Sequence, residues 1–526
     1  MRGFALLTLV LGSCALADVD LSGLPCPCSG SDYACDAATN TCIRLVSGPF
    51  ALTVTPGLVA LGRGRSASIV VELQTTVAQT ISVEAIDLPK GVATTAGSLA
   101  LSKAKPRGEL MLTSDTSTNI GTNIAHVQGK GPTGDTVTQP LTIEIGGRSG
   151  TLDPSFGDNG IATVTGVPTA IFPRLALMSD DRIVLTGIEG GNCFVARVTA
   201  DGKVDTSFGA NGVTLTPGPT GKPCYPQALV VQADGKTLVA GDENPVGSGY
   251  VWRYGNDGKL DPSFGQSGVA TVDAGVAITQ LTAITRDQQG RILVTGYAGA
   301  DYTSAHIVLA RLVENGSLDA SFGTGGFVRT TFAPDAESAA DLIVLADGRI
   351  VVAGERQSTP PRSLLLRLSD QGALDTSFGL GGVVVGADMT SLSRVRAAAN
   401  GDLLAGGTFT NGMTPFSEMG AFFSRYLDSG VLDAKFGAAG TRAIMSMQPP
   451  STKLVGLTEL PSGELAVCDQ SFFTELSSIG QSDAQVGIVA ASAPMEFTDM
   501  AVQSNGKLVM AGGVYNGALE LARYWP

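Results

Sequence analysis

The chain has 526 residues and a formal net charge of −14 at pH 7, and only 16% of its residues are charged. That length exceeds one ordinary domain, although a β-propeller can occupy much of it as a single ring. The acidic balance opposes nonspecific binding to nucleic acid, so we expect no nucleic-acid partner, and the 68 glycines are typical of an all-β protein with many tight turns.

Residues 1–17 are predicted to be a secretory signal peptide. Met1-Arg2 precedes an apolar run at residues 4–11, which is too short to cross a bilayer. Leu11-Gly12-Ser13-Cys14 resembles the lipobox of bacterial lipoproteins, in which Cys14 would become the lipidated first residue. The competing interpretation is cleavage after Ala17, which would discard Cys14.

The lipidated form would be anchored at the outer membrane or cell surface, because Ala15 resembles the second residue of lipoproteins sorted there. The alternative cleavage would leave a secreted or periplasmic protein. No later stretch is a candidate transmembrane segment, so we expect membrane contact only through the lipid anchor.

Residues 18–47 form a cysteine-rich segment with too little apolar content for a core. It contains Cys26, Cys28, Cys35 and Cys42. In an exported chain these four cysteines are expected to form two disulfides, with three connectivities open. A zinc site is the less favoured alternative, because no histidine lies nearby.

Residues 48–147 contain short alternating apolar runs separated by turn residues, as a two-sheet sandwich requires. The runs are residues 51–55, 67–73, 81–85, 109–112 and 141–145. In that order they resemble the immunoglobulin-like modules of bacterial secreted proteins, which implies a role in spacing or presenting a neighbouring domain. The glycine-rich residues 146–150 are predicted to be a short hinge.

Residues 151–526 are organised by a repeated motif, first seen as Leu152-Asp153-Pro154-Ser155-Phe156-Gly157. It recurs every 52 to 58 residues, a period that suits one β-propeller blade. Each copy places a Phe three residues after an Asp. The six pairs are Asp153 and Phe156, Asp205 and Phe208, Asp261 and Phe264, Asp319 and Phe322, Asp375 and Phe378, and Asp433 and Phe436.

Two strand patterns occur seven times in this region, which predicts a seven-bladed propeller. One is a continuous apolar run such as Leu238-Val239-Ala240, which implies burial on both faces. The other is a strand that ends in a cation in six of seven copies. Its final residues are Arg197, Arg253, Arg311, Arg367, Arg425, Glu475 and Arg523.

The sixth unit is degenerate. It has Glu475 in place of arginine, and its Ser482-Asp483 is not followed by Phe-Gly. The joint loss predicts that the strand-end arginine and the motif aspartate form an ion pair that fixes one blade on the next. A structural role is favoured over Ca²⁺ binding or catalysis, because one active site does not need six copies and the alternating acidic Ca²⁺ pattern is absent.

The motif copies and the turns Asp234-Gly235-Lys236, Asp347-Gly348-Arg349 and Asn505-Gly506-Lys507 resemble the delta-60 repeat family of bacterial β-propellers. The resemblance covers about residues 150–526. It implies an exported repeat scaffold and brings no established reaction or catalytic residue.

If the strands of each unit alternate in direction, the unlike connecting segments lie on one face and the repeated turns on the other. We call the first the variable-loop face and predict that it binds a protein or glycan partner at the cell surface. Its candidate residues are Asp301, Tyr302, His306, Arg356, Phe416 and Glu418.

Three further cysteines lie in the repeats. Cys193 and Cys224 fall on the variable-loop face in adjacent units, where they either form a disulfide or remain free, and Cys468 is expected to be a buried thiol.

A binding scaffold is favoured over an enzyme, and we expect a monomer without cofactor or metal. The chain has only two histidines, His126 and His306, which disfavours Ser/His/Asp catalysis and a multi-histidine metal site. The alternative is a carboxylate-dependent hydrolase or lyase acting on an extracellular polymer, for instance through Glu243 and Asp301.

Overall fold

The structure is a computed structural model that describes most of the chain. The described residues are 33–36, 41–44, 50–75, 79–115, 118–147, 150–243, 247–330, 334–398, 400–410, 419–445, 454–460, 464–470, 472–477, 480, 488–490, 495–514 and 518–525. These ranges contain strands, turns and loops but no helix. The predicted all-β class is confirmed.

A two-stranded antiparallel hairpin lies in the cysteine-rich segment. It consists of β1 (Tyr33–Asp36) and β2 (Thr41–Arg44), with Cys35 opposite Cys42 in register. Cys14, Cys26 and Cys28 lie outside the described residues. Lipidation and the two disulfides therefore stay predictions.

Nine strands form two facing sheets between residues 50 and 147. They are β3 (Phe50–Thr55), β4 (Leu58–Leu61), β5 (Ser66–Thr75), β6 (Thr80–Ile86), β7 (Val92–Thr94), β8 (Leu99–Ser102), β9 (Arg107–Ser114), β10 (Gly121–Lys130) and β11 (Thr136–Ile145). The sheet orders are β3-β5-β9-β7 and β4-β11-β10-β6-β8. Within the described residues of these sheets, β4 and β11 pair in parallel and the other neighbours are antiparallel.

Alternating side chains from the two sheets form one buried core. Ile69 and Val71 of β5 meet Val127 of β10 and Ile143 of β11, all fully buried. All five predicted apolar runs lie in strands. Strand β10 escaped prediction because polar residues such as Asn123 and Gln128 interrupt its apolar pattern.

Residues 161–524 form seven antiparallel four-stranded sheets. Their strands are β12 (Ile161–Val164), β13 (Ile171–Leu177), β14 (Ile183–Glu189), β15 (Asn192–Val198), β16 (Val213–Thr216), β17 (Cys224–Val231), β18 (Thr237–Glu243), β19 (Gly249–Tyr254), β20 (Val269–Val272), β21 (Ile278–Arg286), β22 (Ile292–Gly299), β23 (His306–Leu312), β24 (Phe327–Arg329), β25 (Glu337–Val344), β26 (Ile350–Arg356), β27 (Arg362–Leu368), β28 (Val383–Asp388), β29 (Thr390–Ala397), β30 (Leu403–Thr410), β31 (Met419–Tyr426), β32 (Thr441–Met445), β33 (Leu454–Glu459), β34 (Leu465–Asp469), β35 (Phe472–Leu476), β36 (Ile488–Ala490), β37 (Met495–Val502), β38 (Leu508–Val514) and β39 (Leu519–Tyr524).

The sheets follow one another around a ring. Six consist of four consecutive strands, from β13–β16 to β33–β36. The seventh has the order β12-β39-β38-β37, so the first strand of the region completes the sheet made by the last three. The first strand of each sheet contacts the first strand of the next, and β13 contacts β37. The two ends of the region therefore meet within one sheet.

This closure shifts the sheets relative to the sequence repeat. We predicted residues 213–216 as the first strand of their unit, but they form β16, the fourth strand of the preceding sheet. The apolar run at residues 238–240 lies in β18 and is buried, as predicted. Adjacent sheets pack through such residues. Phe208, for example, packs with Val184 of one sheet and Trp252 of the next.

The segment after the sandwich is packed against the ring. A Cβ atom on Gly146 would overlap the indole of Trp525, and the backbone N–H of Ala60 donates to the carbonyl of Asn505 at 2.8 Å. Two residues of the predicted short hinge, Gly146 and Gly147, therefore lie against Trp525. Glycine is needed at Gly146 because the indole approaches its backbone.

Candidate functional site

The motif aspartates are the centre of a repeated network that the ring uses for its own structure. Asp319 accepts hydrogen bonds from the Ser321 hydroxyl at 2.6 Å and from Arg311 Nε at 2.8 Å. The Arg311 guanidinium lies 4.6 Å from the centre of the Phe322 ring and also donates to the carbonyl of Asp370, in the next sheet's connector. The hydrogen bond from Ser321 and the charge of Arg311 hold the pKa of Asp319 below its usual range.

The ion pair predicted from the sequence is present in six copies. The pairs are Arg197–Asp205, Arg253–Asp261, Arg311–Asp319, Arg367–Asp375, Arg425–Asp433 and Arg523–Asp153, at 2.6 to 2.9 Å. Five of the six lie between the third strand of a sheet and the connector that follows it. The link to the next sheet is made by the same arginine through a backbone carbonyl, for example from Arg197 to Asn256 at 2.9 Å.

The degenerate sixth unit replaces this network with a contact to the sandwich. Glu475 is fully buried and accepts a hydrogen bond from Arg65, which follows β4 in the sandwich. Arg65 also contacts Glu464 at 2.8 Å. Where the other units have the strand-end arginine, the sixth unit therefore has a carboxylate that forms a buried ion pair with the sandwich.

The variable-loop face carries the predicted binding candidates in the loops around β22, β23 and β26. Asp301 is exposed and accepts hydrogen bonds from the backbone N–H groups of Thr303 and Ser304 at 3.0 and 2.9 Å, so it shapes its own turn. Tyr302 is 54% exposed. Its ring centre lies 6.0 Å from that of Tyr297.

The other two described candidates contact acidic residues. His306 Nδ1 lies 3.8 Å from the buried carboxylate of Glu337, and Arg356 pairs with Asp335 at 2.8 Å. Phe416 and Glu418 lie outside the described residues.

The structure does not join Glu243 and Asp301, the pair named for catalysis. Glu243 is buried and accepts two hydrogen bonds from Thr220, from its backbone N–H and its hydroxyl, both at 2.7 Å. Glu189 holds Thr169 in the same way, at 2.9 and 2.7 Å. These carboxylates therefore cap loops of the variable-loop face.

Cys193 and Cys224 form a disulfide that links adjacent sheets on this face. Their Cα atoms lie 5.2 Å apart, and 31 positions separate them in the sequence. Cys468 is a free, buried cysteine, as predicted, and burial raises the pKa of its thiol.

One buried carboxyl group was not identified from the sequence. Asp242, next to Glu243 in β18, is 1% exposed, and burial raises its pKa to about 7 although Gln280 donates a hydrogen bond to it. The nearby phenol of Tyr297 has its pKa raised to about 12, first by burial and then by Tyr302 and Asp242.

A cavity of about 390 Å³ lies at the centre of the ring. First strands of six sheets line it, namely β13, β17, β21, β25, β29 and β37. Most of these strands have a bulge at the same position, as at Gln227 in β17 and Thr282 in β21. Sequence reasoning missed this cavity. The available signal was a charged residue directly after the bulge in four of these strands, namely Arg174, Asp341, Arg394 and Asp499.

Among the described residues no group of three or more His, Cys, Asp or Glu side chains could hold a metal ion. Within the same ranges no helix is long and apolar enough to span a membrane.

Three solved structures illustrate what the chain is similar to. A protein of unknown function from Bacteroides caccae is 12% identical over 67% of this chain and 92% of its own, with a TM-score of 0.30. The soluble aldose sugar dehydrogenase from Escherichia coli is 12% identical over 57% and 96%, with a TM-score of 0.35. The BIgI domain of beta protein from S. agalactiae, solved bound to CEACAM1, is 12% identical over 19% and 98%, with a TM-score of 0.14. These TM-scores are too low to carry an argument about this chain.

The match to a protein-family model is more informative. No curated protein matches the chain. Residues 232–264, 290–322 and 345–378 match a model described as a domain of unknown function (DUF5122) beta-propeller. Each matched segment ends at a motif phenylalanine: Phe264, Phe322 and Phe378. The match supports a β-propeller family of unknown function for the ring of sheets.

Proposed function

We propose that this protein is an exported scaffold that binds a protein or glycan partner at the cell envelope through its variable-loop face. Its parts are a lipid anchor at Cys14, an immunoglobulin-like sandwich and a seven-bladed propeller of delta-60 repeats. The scaffold acts as a monomer.

The observation that carries this proposal is the separation of two kinds of connection. The repeated Asp-Ser-Arg-Phe network occupies the connectors between third and fourth strands, where it makes the same contacts in successive sheets. The opposite connections differ in sequence and length from sheet to sheet. A constant frame that displays unlike loops is typical of a binding protein.

Contacts within the variable-loop face support the same function. Glu243 holds Thr220, Asp335 holds Arg356, and the Cys193–Cys224 disulfide ties two sheets together. Loops that are fixed before binding lose less conformational entropy when a partner arrives. A disulfide also suits the oxidising compartment that export implies.

The test compares partner capture by two variants of the mature protein. In the first, residues 301–304 are replaced by Gly-Ser-Gly-Ser. The matched control is Asp347→Asn, in a repeated turn on the opposite face. Both are applied to an array of bacterial envelope glycans and to envelope extracts. The proposal expects a ligand that the control retains and the loop variant loses, whereas equal capture by both variants would refute it.

A hydrolase or lyase is the second candidate, and one observation favours it. With a pKa raised to about 7, Asp242 is protonated in part at neutral pH, as a general acid must be. Turnover of an extracellular polysaccharide by the pure protein, lost in Asp242→Asn, would support this candidate. Absence of turnover across a panel of envelope glycans would count against it.

A further inference from the structure

The central cavity contains a guanidinium group with an unusual environment. Arg174 donates from Nε to the carbonyl of Gln227 at 3.1 Å and from Nη1 to the carbonyls of Pro173 and Thr498, at 3.2 and 3.4 Å. Among the described residues no carboxylate forms an ion pair with it. In the described part of the chain its hydrogen bonds go to neutral carbonyl groups, and a buried charge without a directly bonded counter-ion is costly.

A second arginine lies beside it. Arg394 is 14% exposed and lies 3.6 Å from Asp499, a long distance for an ion pair. The carboxylate of Asp499 already accepts hydrogen bonds from the backbone N–H groups of Leu175 and Met500, both at 3.0 Å. Burial, and then the charge of Arg394, lower the pKa of Arg174, while Asp499 acts in the opposite direction. The two arginines thus share one carboxylate that is largely occupied.

The cavity wall carries three arginines and three carboxylates, so what matters is which of them are paired directly. Arg396 is bound to Asp341 at 2.6 Å. Glu355 lines the cavity, but no ion pair joins it to Arg174 or Arg394 in the described part of the chain. Arg394 donates from Nη1 to the carbonyl of Ser393 at 3.0 Å, so each arginine has one or more N–H groups left over from its printed hydrogen bonds. Two guanidinium groups that line one cavity offer charged N–H donors to an anion such as a carboxylate.

The rest of the wall offers groups for hydroxyls. Ser338, Ser391 and Ser393 line the cavity, and the side chains of these serines have no partner among the described residues. Glu355 supplies an acceptor, and Tyr297 supplies a ring face. A volume of about 390 Å³ lies at the lower end of the range for ligand pockets, so the cavity suits one small molecule.

We propose that the central cavity binds a small hydroxylated carboxylate of the sugar-acid class. The carboxylate lies between Arg174 and Arg394, and the hydroxyls meet the serines and Glu355. This site is formed by the first strands around the axis, so it does not depend on what the variable-loop face binds.

The test is calorimetric titration of the full mature protein with D-glucuronate, and with D-glucose and inorganic phosphate as comparison ligands. We expect glucuronate to bind and glucose not to bind, because glucose lacks the charge. Arg174→Met and Arg394→Met should each weaken glucuronate binding about tenfold or more. The matched control is Arg291→Met, which removes an arginine paired with Asp287 in a turn outside the cavity and should bind as the wild type does.

Folding of each variant is checked by circular dichroism. If Arg174→Met does not fold, Arg394→Met and Ser391→Ala carry the test, because neither removes a contact that joins two sheets through a backbone carbonyl. Failure of glucuronate to bind at millimolar concentration, or equal binding by the folded arginine variants, would overturn the proposal. Tighter binding of phosphate than of glucuronate would overturn the carboxylate assignment.

Discussion

Arg523 in the last strand of the ring donates a hydrogen bond from Nε to the carboxylate of Asp153 at 2.8 Å, although 370 positions separate the two residues in the sequence. The same contact joins residues eight positions apart in five other sheets, as in Arg311 and Asp319. Lys507 adds a second cation to Asp153 at 2.9 Å. The first copy of the motif is therefore completed by the last strand, and the network found in six of the sheets also holds the two ends of the ring together.

The first prediction concerns the motif aspartate. Asp319→Asn removes the charge that Arg311 contacts while keeping the shape, and we expect a loss of about 2 kcal/mol or more, because the guanidinium is fully buried. The measurement is the melting temperature by circular dichroism. Asp347→Asn is the control, since this exposed carboxylate contacts the backbone N–H and the side chain of the partly exposed Arg349, and its loss should cost at most about 1 kcal/mol. An unchanged melting temperature for Asp319→Asn would contradict the role of the network.

Acid should weaken the same network. The folded pKa of each of these aspartates is lowered, and for Asp375 the hydrogen bond from Ser377 and the charge of Arg367 lower it to about 2. A lowered pKa stabilises the fold above the unfolded value near 3.8 and ceases to do so as pH falls through the folded value. We therefore expect the melting temperature to fall between about pH 4 and pH 2, and to fall less steeply in Asp375→Asn.

Asp242 should have the opposite pH dependence. Its folded pKa of about 7 lies above the unfolded value of 3.8, so the unfolded chain loses its proton first and stability falls as pH rises from about 4 to above 7. Asparagine resembles the neutral acid. The melting temperature of Asp242→Asn should therefore exceed that of the wild type at pH 8 and equal it at pH 4. Asp301→Asn should show no such gain at pH 8. Equal melting temperatures at pH 8 would refute the raised pKa.

The contact between the two domains gives a further prediction. Arg65→Met leaves Glu475 buried without its cation, which should cost about 3 kcal/mol or more. Arg107→Met is the matched control from the same sandwich, because Arg107 and Glu72 are both exposed and lie 3.5 Å apart.

A second substitution makes this test specific. Glu475→Gln added to Arg65→Met removes the buried charge, and the double variant should recover part of the lost stability in chemical denaturation. A double variant no more stable than Arg65→Met would argue that the charge of Glu475 plays no part.

The Cys193–Cys224 disulfide links adjacent sheets, and this pairing can be tested directly. Non-reducing digestion should yield a peptide that joins Cys193 to Cys224. Replacing both by alanine should lower stability by about 2–4 kcal/mol, as expected for a closed loop of 31 residues. The control is Cys468→Ser, which leaves the linked peptide in place. Two separate peptides from the wild type would contradict the pairing.

Local repetition explains how much could be predicted from the sequence. The pairing of Arg311 with Asp319 was accessible because both residues recur together and are lost together in the sixth unit. The buried strands with a continuous apolar run, such as Leu238-Val239-Ala240, could be predicted because the run recurs in each unit. These features depend on contacts within one repeat or between neighbours, which a repeated pattern reveals.

Contacts between distant segments could not be predicted in the same way. The sequence shows that Glu475 replaces the arginine of the other units. It does not show that Glu475 pairs with Arg65, which lies 410 positions away in the sandwich. Arg174 and Arg394 line the cavity, and each directly follows a bulge in its strand. The residue pattern of a single strand does not show which of its sides faces a cavity. The assignment of residues 213–216 to the preceding sheet likewise depends on how the ring closes.

The most direct test of the closed ring is a cross-link between its first and last strands. Thr163 of β12 lies opposite Glu520 of β39 in register, within reach of a disulfide. The double variant Thr163→Cys/Glu520→Cys is oxidised and digested, and peptide mass spectrometry follows the link. The control Thr163→Cys/Glu496→Cys places the second cysteine in β37, three strands from β12 and about 14 Å away. A link in the first variant but not in the control is the predicted result, and the absence of a link in the first variant would contradict the closed ring.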